Sequence, residues 1–572
     1  MRVARIFTIL CLVCCAAFYG CSKKKETGPA PSPPPKGDVI VPDNVLYNGI
    51  ELPDRWPPFR SYTSDLERGM DVPYLIKKPD TINISLGRQL FVDEFLIDET
   101  TMVPRYHYAD YYPANPVLKA DREWENLGTA GSKFAAPFSD GVWYDEAEGK
   151  FKMWYMAGGG TYSVNGTGVM CYAESQDGVK WTKPNQAIVP GTNIVDYKTE
   201  RDASVVWLDK QESKPAARYK MFLVARDKQD NKWKYIYKTS PDGKLWREVV
   251  SSQPVADRST VHKNPFRNNW IFSIRHNVRV NADKLVRARD YNENTDPAEG
   301  TRKAEALLSS FWFGPWPDEL RHPDYPAVDP AIYNHDAIAY ESIMLGTFNV
   351  WQGPENDVAA ASGKPKRNQL MLGFSRDGYH YSRKDLKPFM GVSTLSTDWN
   401  AGNLQSVAGA PIIAGDKLYF YLSGRYINSS GAELTSTGLA TLRRDGFVSM
   451  EATGTEKTLT TELFRFNGEF FFTNARVSGS LRVELLDKNG TVIPGFSYDD
   501  CQPFRGDAVK SQIKWKTKAS LAELKGRVIK ARFYMTEGSL YAFWISPYQT
   551  GESNGYTAGG GAGLHATGLD IK

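Results

Sequence analysis

A short phrase recurs along the chain as Ser175-Gln-Asp-Gly-Val-Lys-Trp181, Ser240-Pro-Asp-Gly-Lys-Leu-Trp246 and Ser375-Arg-Asp-Gly-Tyr-His-Tyr381, with a degenerate copy, Arg444-Asp-Gly-Phe447. Its aspartates stand at positions 177, 242, 377 and 445, so the gaps are 65, 135 and 68 residues. The double gap has room for one unit that has lost the phrase. Five modules of about 65 residues follow, and a fixed period of this kind is typical of repeat architectures such as the β-propeller.

Each module opens with polar or acidic residues and continues as an aromatic, β-branched run, a turn and a second aromatic run. Such runs at regular spacing predict antiparallel sheets. The openings are 139–144, 201–207, 257–261, 335–341 and 405–410, and the second runs are 151–155, 219–222, 270–274, 343–346 and 417–421. The recurring phrase fits a hairpin turn whose glycine takes positive φ and whose aromatic residue packs inward. We interpret it as structural, with a ligand or metal site as the alternative.

The predicted fold class is all-β, a five-bladed β-propeller followed by a C-terminal β-sandwich. Residues 46–450 form the propeller with an N-terminal extension, and alternating runs over 455–548 indicate the sandwich. Residues 88–97 read as a strand that completes the last blade and closes the sheet edge. The best helix candidate is 301–313, and the small-residue segment 549–572 is expected to be a flexible tail.

The composition excludes several functional classes. A net charge of +4 with interspersed signs argues against nucleic-acid binding. Four of the six cysteines lie in the first 21 residues, which excludes a disulfide framework, and no zinc, Walker or dinucleotide motif is present. The 15 Trp, 30 Tyr and 27 Phe suit all-β packing and also the stacking of sugar rings, so the expected partner is a carbohydrate.

The amino terminus has the features of an export signal. Arg2 and Arg5 precede an apolar run over 6–18, too short to span a membrane comfortably, and small residues precede Cys21. Residues 1–20 therefore resemble a bacterial lipoprotein signal peptide, which implies lipidation of Cys21 and an exported protein anchored to the membrane, either the outer membrane or the cell surface. Residues 21–45, rich in lysine and proline, are expected to be a disordered tether.

The innermost strands of a propeller begin near a central funnel, so the polar residues that open the modules should converge there. One opening carries a resemblance: Arg201-Asp202-Ala-Ser-Val-Val-Trp-Leu, followed by Tyr219-Lys-Met-Phe-Leu, resembles the Arg-Asp-Pro segment of the five-bladed glycoside hydrolases of families 32 and 43. The resemblance covers about residues 88–450. It implies an acid of the first blade as nucleophile or base, the Asp of the second blade as stabiliser of the transition state, and a Glu of a later blade as acid.

The resemblance assigns these roles to Asp140, Asp202 and Glu341. The first-blade motif departs from the family, since Ala136-Pro-Phe-Ser-Asp140-Gly-Val stands where Trp-Met-Asn-Asp-Pro-Asn-Gly is expected, and Ala203 replaces the proline after Asp202. Three structural roles stay open for these acids: Asp140 as a turn residue, Asp202 as a partner of Arg201, and Glu341 as an ion-paired residue of the wall. Glycoside cleavage needs one protonated and one ionised carboxyl group, and crowding of acids in a funnel creates both states.

The remaining polar residues at or near the module openings are candidates for contacts with sugar hydroxyls. They are Arg201, Asp257, Arg258, His262, Arg275, His276, His335, Asp336 and Gln405. No cofactor or metal is assigned, although a Ca²⁺ on the propeller axis, as in some relatives, stays open. The predicted function is hydrolysis of glycosidic bonds in an oligo- or polysaccharide. The alternative functions, in order of preference, are a catalytically silent carbohydrate-binding lipoprotein, a sialidase and a structural surface protein.

Overall fold

The computed structural model describes residues 44–61, 68–128, 131–281, 284–363 and 366–572. Within these residues the protein is nearly all β, with three short α-helices and five single-turn 3₁₀ helices. The α-helices are α1 (Pro73–Ile76), α2 (Pro297–Lys303) and α3 (Asn356–Ser362). The 3₁₀ helices are Glu94–Leu96, Glu123–Glu125, Gly160–Tyr162, Pro215–Ala217 and Ala522–Leu524. The export signal and Cys21 lie outside the described residues.

The first 21 strands run from the N-terminal segment to the fourth module. The N-terminal strands are β1 (Ile82–Asn83), β2 (Gln89–Leu90), β3 (Ile97–Thr100), β4 (Val103–Tyr106) and β5 (Asp110–Tyr111). Module 1 contains β6 (Lys133–Ala136), β7 (Val142–Asp145), β8 (Lys150–Ala157), β9 (Val169–Ser175) and β10 (Ile194–Asp196). Modules 2 to 4 contain β11 (Glu200–Leu208), β12 (Tyr219–Arg226), β13 (Trp233–Ser240), β14 (Arg247–Ser251), β15 (Thr260–Asn264), β16 (Asn269–Asn281), β17 (Lys284–Asn294), β18 (Ser310–Phe313), β19 (Ala331–Glu341), β20 (Ile343–Trp351) and β21 (Asn368–Ser375).

The last strands belong to module 5 and the C-terminal region. Module 5 contains β22 (Asn403–Val407), β23 (Ile412–Ala414), β24 (Lys417–Ile427) and β25 (Glu433–Arg443). The C-terminal strands are β26 (Val448–Ala452), β27 (Lys457–Thr461), β28 (Phe464–Arg465), β29 (Phe470–Asp487), β30 (Phe504–Gln512), β31 (Ile529–Ser546) and β32 (Tyr556–Thr557). Every predicted module opening therefore contains or leads into a strand, as does every second run.

The modules form antiparallel sheets. Modules 2 and 3 are four-stranded sheets in the orders β11-β12-β13-β14 and β15-β16-β17-β18, and module 4 has the order β21-β20-β19-β32. Modules 1 and 5 share one ten-stranded sheet, because β6 runs parallel to β25. The N-terminal strand β5 adds to the same edge, antiparallel to β25.

The recurring phrase forms a turn in each of its three full copies, as predicted. In the second copy the Asp242 carboxylate accepts from the amides of Lys244 and Leu245, and the Ser240 hydroxyl accepts from the amide of Gly243. Gly243 has a φ of +76°, and an added Cβ would lie 2.3 Å from the Trp154 ring. Glycine is therefore required here by both conformation and packing.

Each of these turns also docks on the preceding module. The indole of Trp154 in module 1 donates to the carbonyl of Gly243 in module 2 (2.6 Å), and Trp312 in module 3 donates to Tyr379 in module 4 (2.9 Å). The turn of module 1 contacts module 5, because the Tyr421 hydroxyl donates to the carbonyl of Gly178 (2.8 Å). The phrase thus fastens one module to the next.

The C-terminal region forms a second ten-stranded sheet, built around the long strands β29 and β31. Its core contains Phe471, Phe533, Phe543 and Trp515. The prediction that residues 88–97 complete the last blade is wrong, since β2 pairs with β31 and β3 with β27. The strand β26, partly inside the predicted propeller range, also belongs to this sheet. The aromatic side chains of the N-terminal segment explain the correction, because Phe91 and Phe95 are buried in the core of the second sheet.

The helix predicted over 301–313 is also corrected. The helix α2 begins at Pro297, after an Asp296 cap that accepts from the amide of Glu299, and ends at Lys303. The aromatic end of the predicted segment is instead the strand β18, which pairs with β17. Burial of Trp312 among aromatic neighbours favours the sheet over the helix at this position.

The expected flexible tail, 549–572, is instead packed against three modules. Tyr144 donates its amide to the carbonyl of Gly559, Ile413 donates to Gly560, and β32 pairs with β19. The small residues, which suggested disorder, instead allow the backbone of this segment to pack closely against module 5. A Cβ on Gly561 would lie 2.0 Å from the carbonyl oxygen of Ile413. The free thiols of Cys171 and Cys501 are buried, and no helix in the described part of the chain is long and apolar enough to cross a membrane.

Candidate functional site

The polar residues that open the five modules meet in two adjoining hydrogen-bonded sets, linked where Ser139 precedes Asp140 in the chain. We call the two sets together the opening cluster. It consists of Ser139, Asp140, Arg201, Asp202, Arg258, Asn334, Asp336 and Ser406. Ser139, Asp140 and Arg258 precede a strand, whereas the other members lie within β11, β19 or β22. The sheets thus bring together side chains that are up to 267 positions apart in sequence, counted from 139 to 406.

Asp140 is the most enclosed acid of the opening cluster. Its side chain is fully buried, and Oδ1 accepts from Nη2 of Arg201 at 2.6 Å. Burial raises the pKa of Asp140 to about 6, although Arg201 and Arg258 oppose the rise. Its Oδ2 and the Nη1 of Arg201 are buried without a protein partner among the described residues. Two charged atoms therefore have unused hydrogen-bonding capacity at the centre of the cluster.

Arg258 connects four modules. Its amide donates to Oδ1 of Asp202 (2.9 Å), and its Nη2 donates to the hydroxyl of Ser406 (3.0 Å) and to the carbonyl of Phe138 (3.3 Å). The guanidinium lies 3.6 Å from the centroid of the Phe138 ring. Asp202 is more accessible, with 25% of its side chain exposed. The arginine therefore holds a carboxylate that solvent can reach.

Asp336 brings the fourth module into the cluster. Its Oδ2 accepts from Ser139 Oγ (3.0 Å) and from Asn334 Nδ2 (2.7 Å). Burial raises the pKa of Asp336 to about 7, against the lowering effects of its hydrogen bonds and of Arg258 and Arg289. Since neither direct partner carries a charge, Asp336 is the acid of the cluster best suited to hold a proton near neutral pH.

The backbone around the cluster is strained. Positive φ angles occur at Phe138 (45°), Ser139 (91°), Arg258 (57°) and Ser406 (56°), all of them non-glycine residues. Such conformations cost on the order of 1 kcal/mol each and persist where the surrounding structure fixes them. Here they turn the side chains at the start of three modules toward one another.

Three predicted sugar contacts flank the opening cluster. Asp257 forms an ion pair with Arg275 and has 37% of its side chain exposed, whereas Arg275 also donates to Asn277 Oδ1 at 2.6 Å. Gln405 accepts from Nη2 of Arg425 at 2.9 Å. These residues therefore lie next to the cluster, and their contacts with a sugar stay a prediction.

The histidines do not face the cluster. His262 and His335 are buried against the rings of Trp312, and their four ring nitrogens have no protein partner in the described structure. Successive residues of a strand point to opposite faces, so Asp336 reaches the cluster whereas His335 enters the aromatic core. His276 alternates with Arg275 in the same way and hydrogen bonds Asp290 (2.9 Å). The burial of His262 and His335 contradicts the predicted sugar contacts of these two residues, whereas 44% of the His276 side chain is exposed and its contact stays a prediction.

Glu341 lies in a different place. It stands five residues beyond Asp336 on β19, about 16 Å along the strand at the usual rise per residue. Its Oε1 pairs with Arg444 (3.1 Å) and Arg88 (3.4 Å), and its Oε2 accepts from the Ser553 hydroxyl (2.6 Å). The structure therefore places Glu341 away from the opening cluster, as a buried residue with two ion-pair partners.

A second polar group surrounds Glu341. We call it the Glu341 cluster. It consists of Arg88, Tyr340, Glu341, Arg444, Asp445, Asn474, Ser553 and Asp570. Its members come from the N-terminal segment, modules 4 and 5, the C-terminal sheet and the final segment. It connects the sheet that modules 1 and 5 share with the C-terminal sheet. It also holds the final segment through Ser553 and Asp570.

The contacts of Asp202 and Asp140 also decide their structural roles. Asp202 does not pair with Arg201, whose charged group pairs with Asp140. Asp140 is also more than a turn residue, since it is an ion-pair partner between two modules. The sequence did not identify three members of the cluster as site residues, although each lies within two positions of a predicted one: Ser139, Asn334 and Ser406. A serine or asparagine gives little indication of function in a sequence, because only the fold shows which face of the strand its side chain lies on.

Metal binding finds no support in side-chain clusters. Among the described residues, no group of three or more His, Cys, Asp or Glu side chains is arranged to hold a metal ion. The carboxylates of the opening cluster contact guanidinium and neutral groups instead.

No protein-family model matches the sequence, and no curated protein matches it. Solved structures similar to the chain include an N-acetylgalactosamine deacetylase from F. plautii in complex with blood group B trisaccharide, with 12% identity over 61% of this chain and 96% of that chain (TM-score 0.39). A fructofuranosidase from Schwanniomyces occidentalis aligns with 9% identity over 74% of this chain and 97% of that chain (TM-score 0.36). A glycosyl hydrolase from Bacteroides ovatus aligns with 11% identity over 59% and 94% (TM-score 0.32). Structural similarity at these identities and TM-scores does not assign an activity to the chain.

Proposed function

We propose that the protein is a glycoside hydrolase whose five modules form a five-bladed β-propeller with its active site at the opening cluster. The single observation that carries the proposal is the convergence of acids from three modules near Arg258 of another, whose amide donates a hydrogen bond to Asp202 and whose charge opposes the rise in the pKa of Asp140 and Asp336. A pair of carboxyl groups in different protonation states is the minimum that glycoside cleavage requires.

The order of contacts between modules supports the five-bladed ring. Module 1 contacts module 2 through Asp140 and Val206, module 2 contacts module 3 through Asp202 and Arg258, and module 3 contacts module 4 through Thr260 and His335. Asn349 of module 4 donates to Leu404 of module 5 (2.7 Å). Modules 5 and 1 then join through β25 and β6. A chain of neighbours that returns to its start is what a closed propeller requires.

The proposed roles follow from burial and partners. Asp336 acts as the general acid, because its raised pKa keeps a large share of the side chain protonated near neutral pH. Asp202, which solvent can reach and which Arg258 holds in place, acts on the opposite side of the sugar as base or nucleophile. Asp140 is a positioning residue that acts through Arg201.

The reaction balances with these groups. Asp336 gives its proton to the departing glycosidic oxygen as the bond from that oxygen to the anomeric carbon breaks. If Asp202 is the base, it takes a proton from the water whose oxygen bonds to the anomeric carbon. If it is the nucleophile, it bonds to that carbon first; water then bonds to the carbon as the bond to Asp202 breaks, and the Asp336 carboxylate takes the proton of that water. Arg258 and Arg201 hold the carboxylates in place throughout.

A second candidate function is carbohydrate binding without cleavage. The observation that favours it is the complete burial of Asp140 against Arg201, since the first-blade acid of the family contacts its substrate and this one is enclosed. A propeller that keeps its funnel but lacks an accessible pair of acids would still present polar side chains to a sugar.

The test is a screen of the purified protein against aryl glycosides and oligosaccharides, with product release followed by chromatography and the first anomer formed followed by NMR. We expect cleavage by the wild type and a loss of roughly 10²- to 10⁴-fold in kcat in Asp336→Asn, the usual contribution of a general acid. Asp499→Asn, an exposed carboxylate on a loop of the C-terminal region, is the matched control. Binding without cleavage across the panel favours the second candidate, and full activity in Asp336→Asn removes the assignment of the acid.

We further propose that the protein is exported and anchored to the bacterial membrane through lipid on Cys21. The support is the sequence pattern of a charged start, an apolar run and small residues before a cysteine. Growth of the expressing bacterium with a clickable palmitate analogue should label the wild type but not Cys21→Ser. Label retained by the variant would contradict the proposal.

A further inference from the structure

Beside the opening cluster, three cationic side chains from three modules gather without enough negative charge to balance them. They are Arg287 on β17, Lys366 just before β21 and Arg425 on β24. We call them the cationic rim. Hydrogen bonds and strand register place them together independently of any electrostatic argument.

Arg425 and Lys366 are connected through Asn403. Asn403 is the cross-strand partner of Arg425, and its side-chain amide donates to the carbonyl of Lys366 at 2.9 Å. On the other side, the guanidinium of Arg287 lies 5.1 Å from the Trp351 ring centroid, and Trp351 pairs with Asn368, two residues from Lys366. The three residues therefore lie on neighbouring parts of three successive modules, near enough for the charges of Arg287 and Arg425 to act on Lys366.

The cationic rim also borders the opening cluster. Nη2 of Arg425 donates to Gln405 Oε1, and the next residue, Ser406, accepts from Arg258. Arg425 pairs with Glu433 (3.3 Å), but its Nε is buried without a protein partner among the described residues. Neither Lys366 nor Arg287 has a carboxylate within ion-pair distance in the described part of the chain.

Electrostatics agrees with this placement. Burial lowers the pKa of Lys366, and Arg287 and Arg425 lower it further, whereas Glu355 and Asp257 oppose the shift only in part. Like charges held side by side in a half-buried site are destabilised, and an arriving anion relieves the repulsion. Guanidinium groups bind carboxylate and sulfate oxygens through paired hydrogen bonds, and a lysine adds a point charge.

We propose that the cationic rim binds an oxyanion carried by the sugar next to the cleaved bond, so that the substrate is an anionic glycan. The shared chemistry is a carboxylate of a uronic acid or a sulfate ester. This inference rests on the proposed function, because it places the charged sugar against the same funnel. It names a substrate class that the roles of Asp202 and Asp336 do not determine.

The experiment compares matched glycans on the full chain by isothermal titration. One arm pairs uronate oligosaccharides with their carboxyl-reduced counterparts, and the other pairs sulfated oligosaccharides with their desulfated counterparts. We expect one anionic member to bind about tenfold or more tightly than its neutral partner, the effect of one charge-assisted hydrogen bond. The arm that shows the preference identifies the anion.

The double variant Arg287→Gln/Lys366→Met should lose that preference while binding the neutral partner as the wild type does. Lys488→Met, an exposed lysine on a distant turn, is the matched control for loss of charge. Equal binding of both members of every pair overturns the inference, as does an equal loss in Lys488→Met. If neutral glycans are cleaved without any preference, hydrolysis stands and the rim proposal fails. If anionic glycans bind through the rim but no glycan is cleaved, the rim proposal stands and hydrolysis fails.

Discussion

The opening cluster and the Glu341 cluster are both buried groups of arginines and acids, but they differ in how completely the acids are paired. In the Glu341 cluster both oxygens of Glu341 and both oxygens of Asp445 have partners. In the opening cluster Oδ2 of Asp140 has no partner among the described residues. Arginine nitrogens without a hydrogen-bond partner occur in both clusters, at Arg201 and Arg258 in one and at Arg88 and Arg444 in the other. Buried acids whose two oxygens are both paired suit a structural role, whereas an unpaired carboxylate oxygen beside an accessible acid suits binding of a ligand.

Backbone strain does not separate the two clusters. Glu341 and Asp445 have φ angles of 51° and 61°, similar to those at Arg258 and Ser406. Strain thus marks places where the chain is forced into position, whatever the reason. The opening cluster differs from the Glu341 cluster in two other respects. One of its carboxylate oxygens has no hydrogen-bond partner among the described residues, and one of its acids, Asp202, is accessible to solvent.

The largest expected effect divides the two clusters by stability. Glu341→Gln should lower the free energy of unfolding by about 3–5 kcal/mol, because it leaves Arg88 and Arg444 buried with one anion fewer. Chemical denaturation measures the loss. Activity per folded molecule should stay at the wild-type value. The matched control is Glu462→Gln, in a partly exposed pair with Lys78, for which about 0–1 kcal/mol is expected.

If Glu341→Gln instead abolished cleavage while leaving stability unchanged, the family assignment of Glu341 as the acid would be restored. Asp336→Asn should show the reverse pattern, with activity lost and no loss of stability. The two variants together therefore decide which cluster is the site.

A smaller effect concerns the close packing at the end of the chain. A Cβ on Gly555 would lie 2.0 Å from Oε2 of Glu341, so Gly555→Ala should cost about 1–3 kcal/mol of stability through overpacking. Thermal unfolding detects the change as a lower Tm. Gly128→Ala, where the added carbon meets open space, is the control. An unchanged Tm in Gly555→Ala would show that the final segment detaches readily from the Glu341 cluster.

The smallest expected effect, taken per pH unit, is a pH dependence at Asp336. Because its pKa in the folded protein is raised to about 7, the folded state keeps a proton that the unfolded chain releases above about pH 4. Asp336 therefore lowers stability progressively as the pH rises from about 4 to 7, by at most about 1.4 kcal/mol per unit.

Asp336→Asn removes this titration. Its stability relative to the wild type should increase across that pH range and level off above it, as measured by denaturation at several pH values. A constant difference between the two proteins would mean that the carboxyl titrates normally. Asp336 would then no longer qualify as a proton donor near neutral pH.

Sequence reasoning located the strands of the modules and most of the opening cluster, because the period and the hydrophobic pattern are local properties. It did not predict which sheets residues 88–97 and the final segment join, because neither segment has a sequence pattern that indicates its partner strand. It also placed His335 and Asp336 in one site, although adjacent residues on a strand face opposite ways.

The sequence by itself determined the repeat, the all-β character and the turn chemistry of the Asp-Gly phrase, because these depend on residues within a few positions of one another. Only the tertiary structure decided that Asp336 and not Glu341 joins Asp140 and Asp202, and that the last residues complete a buried joint. The physical reason is that burial, ion pairing and proton affinity are properties of a neighbourhood, and here that neighbourhood is assembled from side chains hundreds of positions apart.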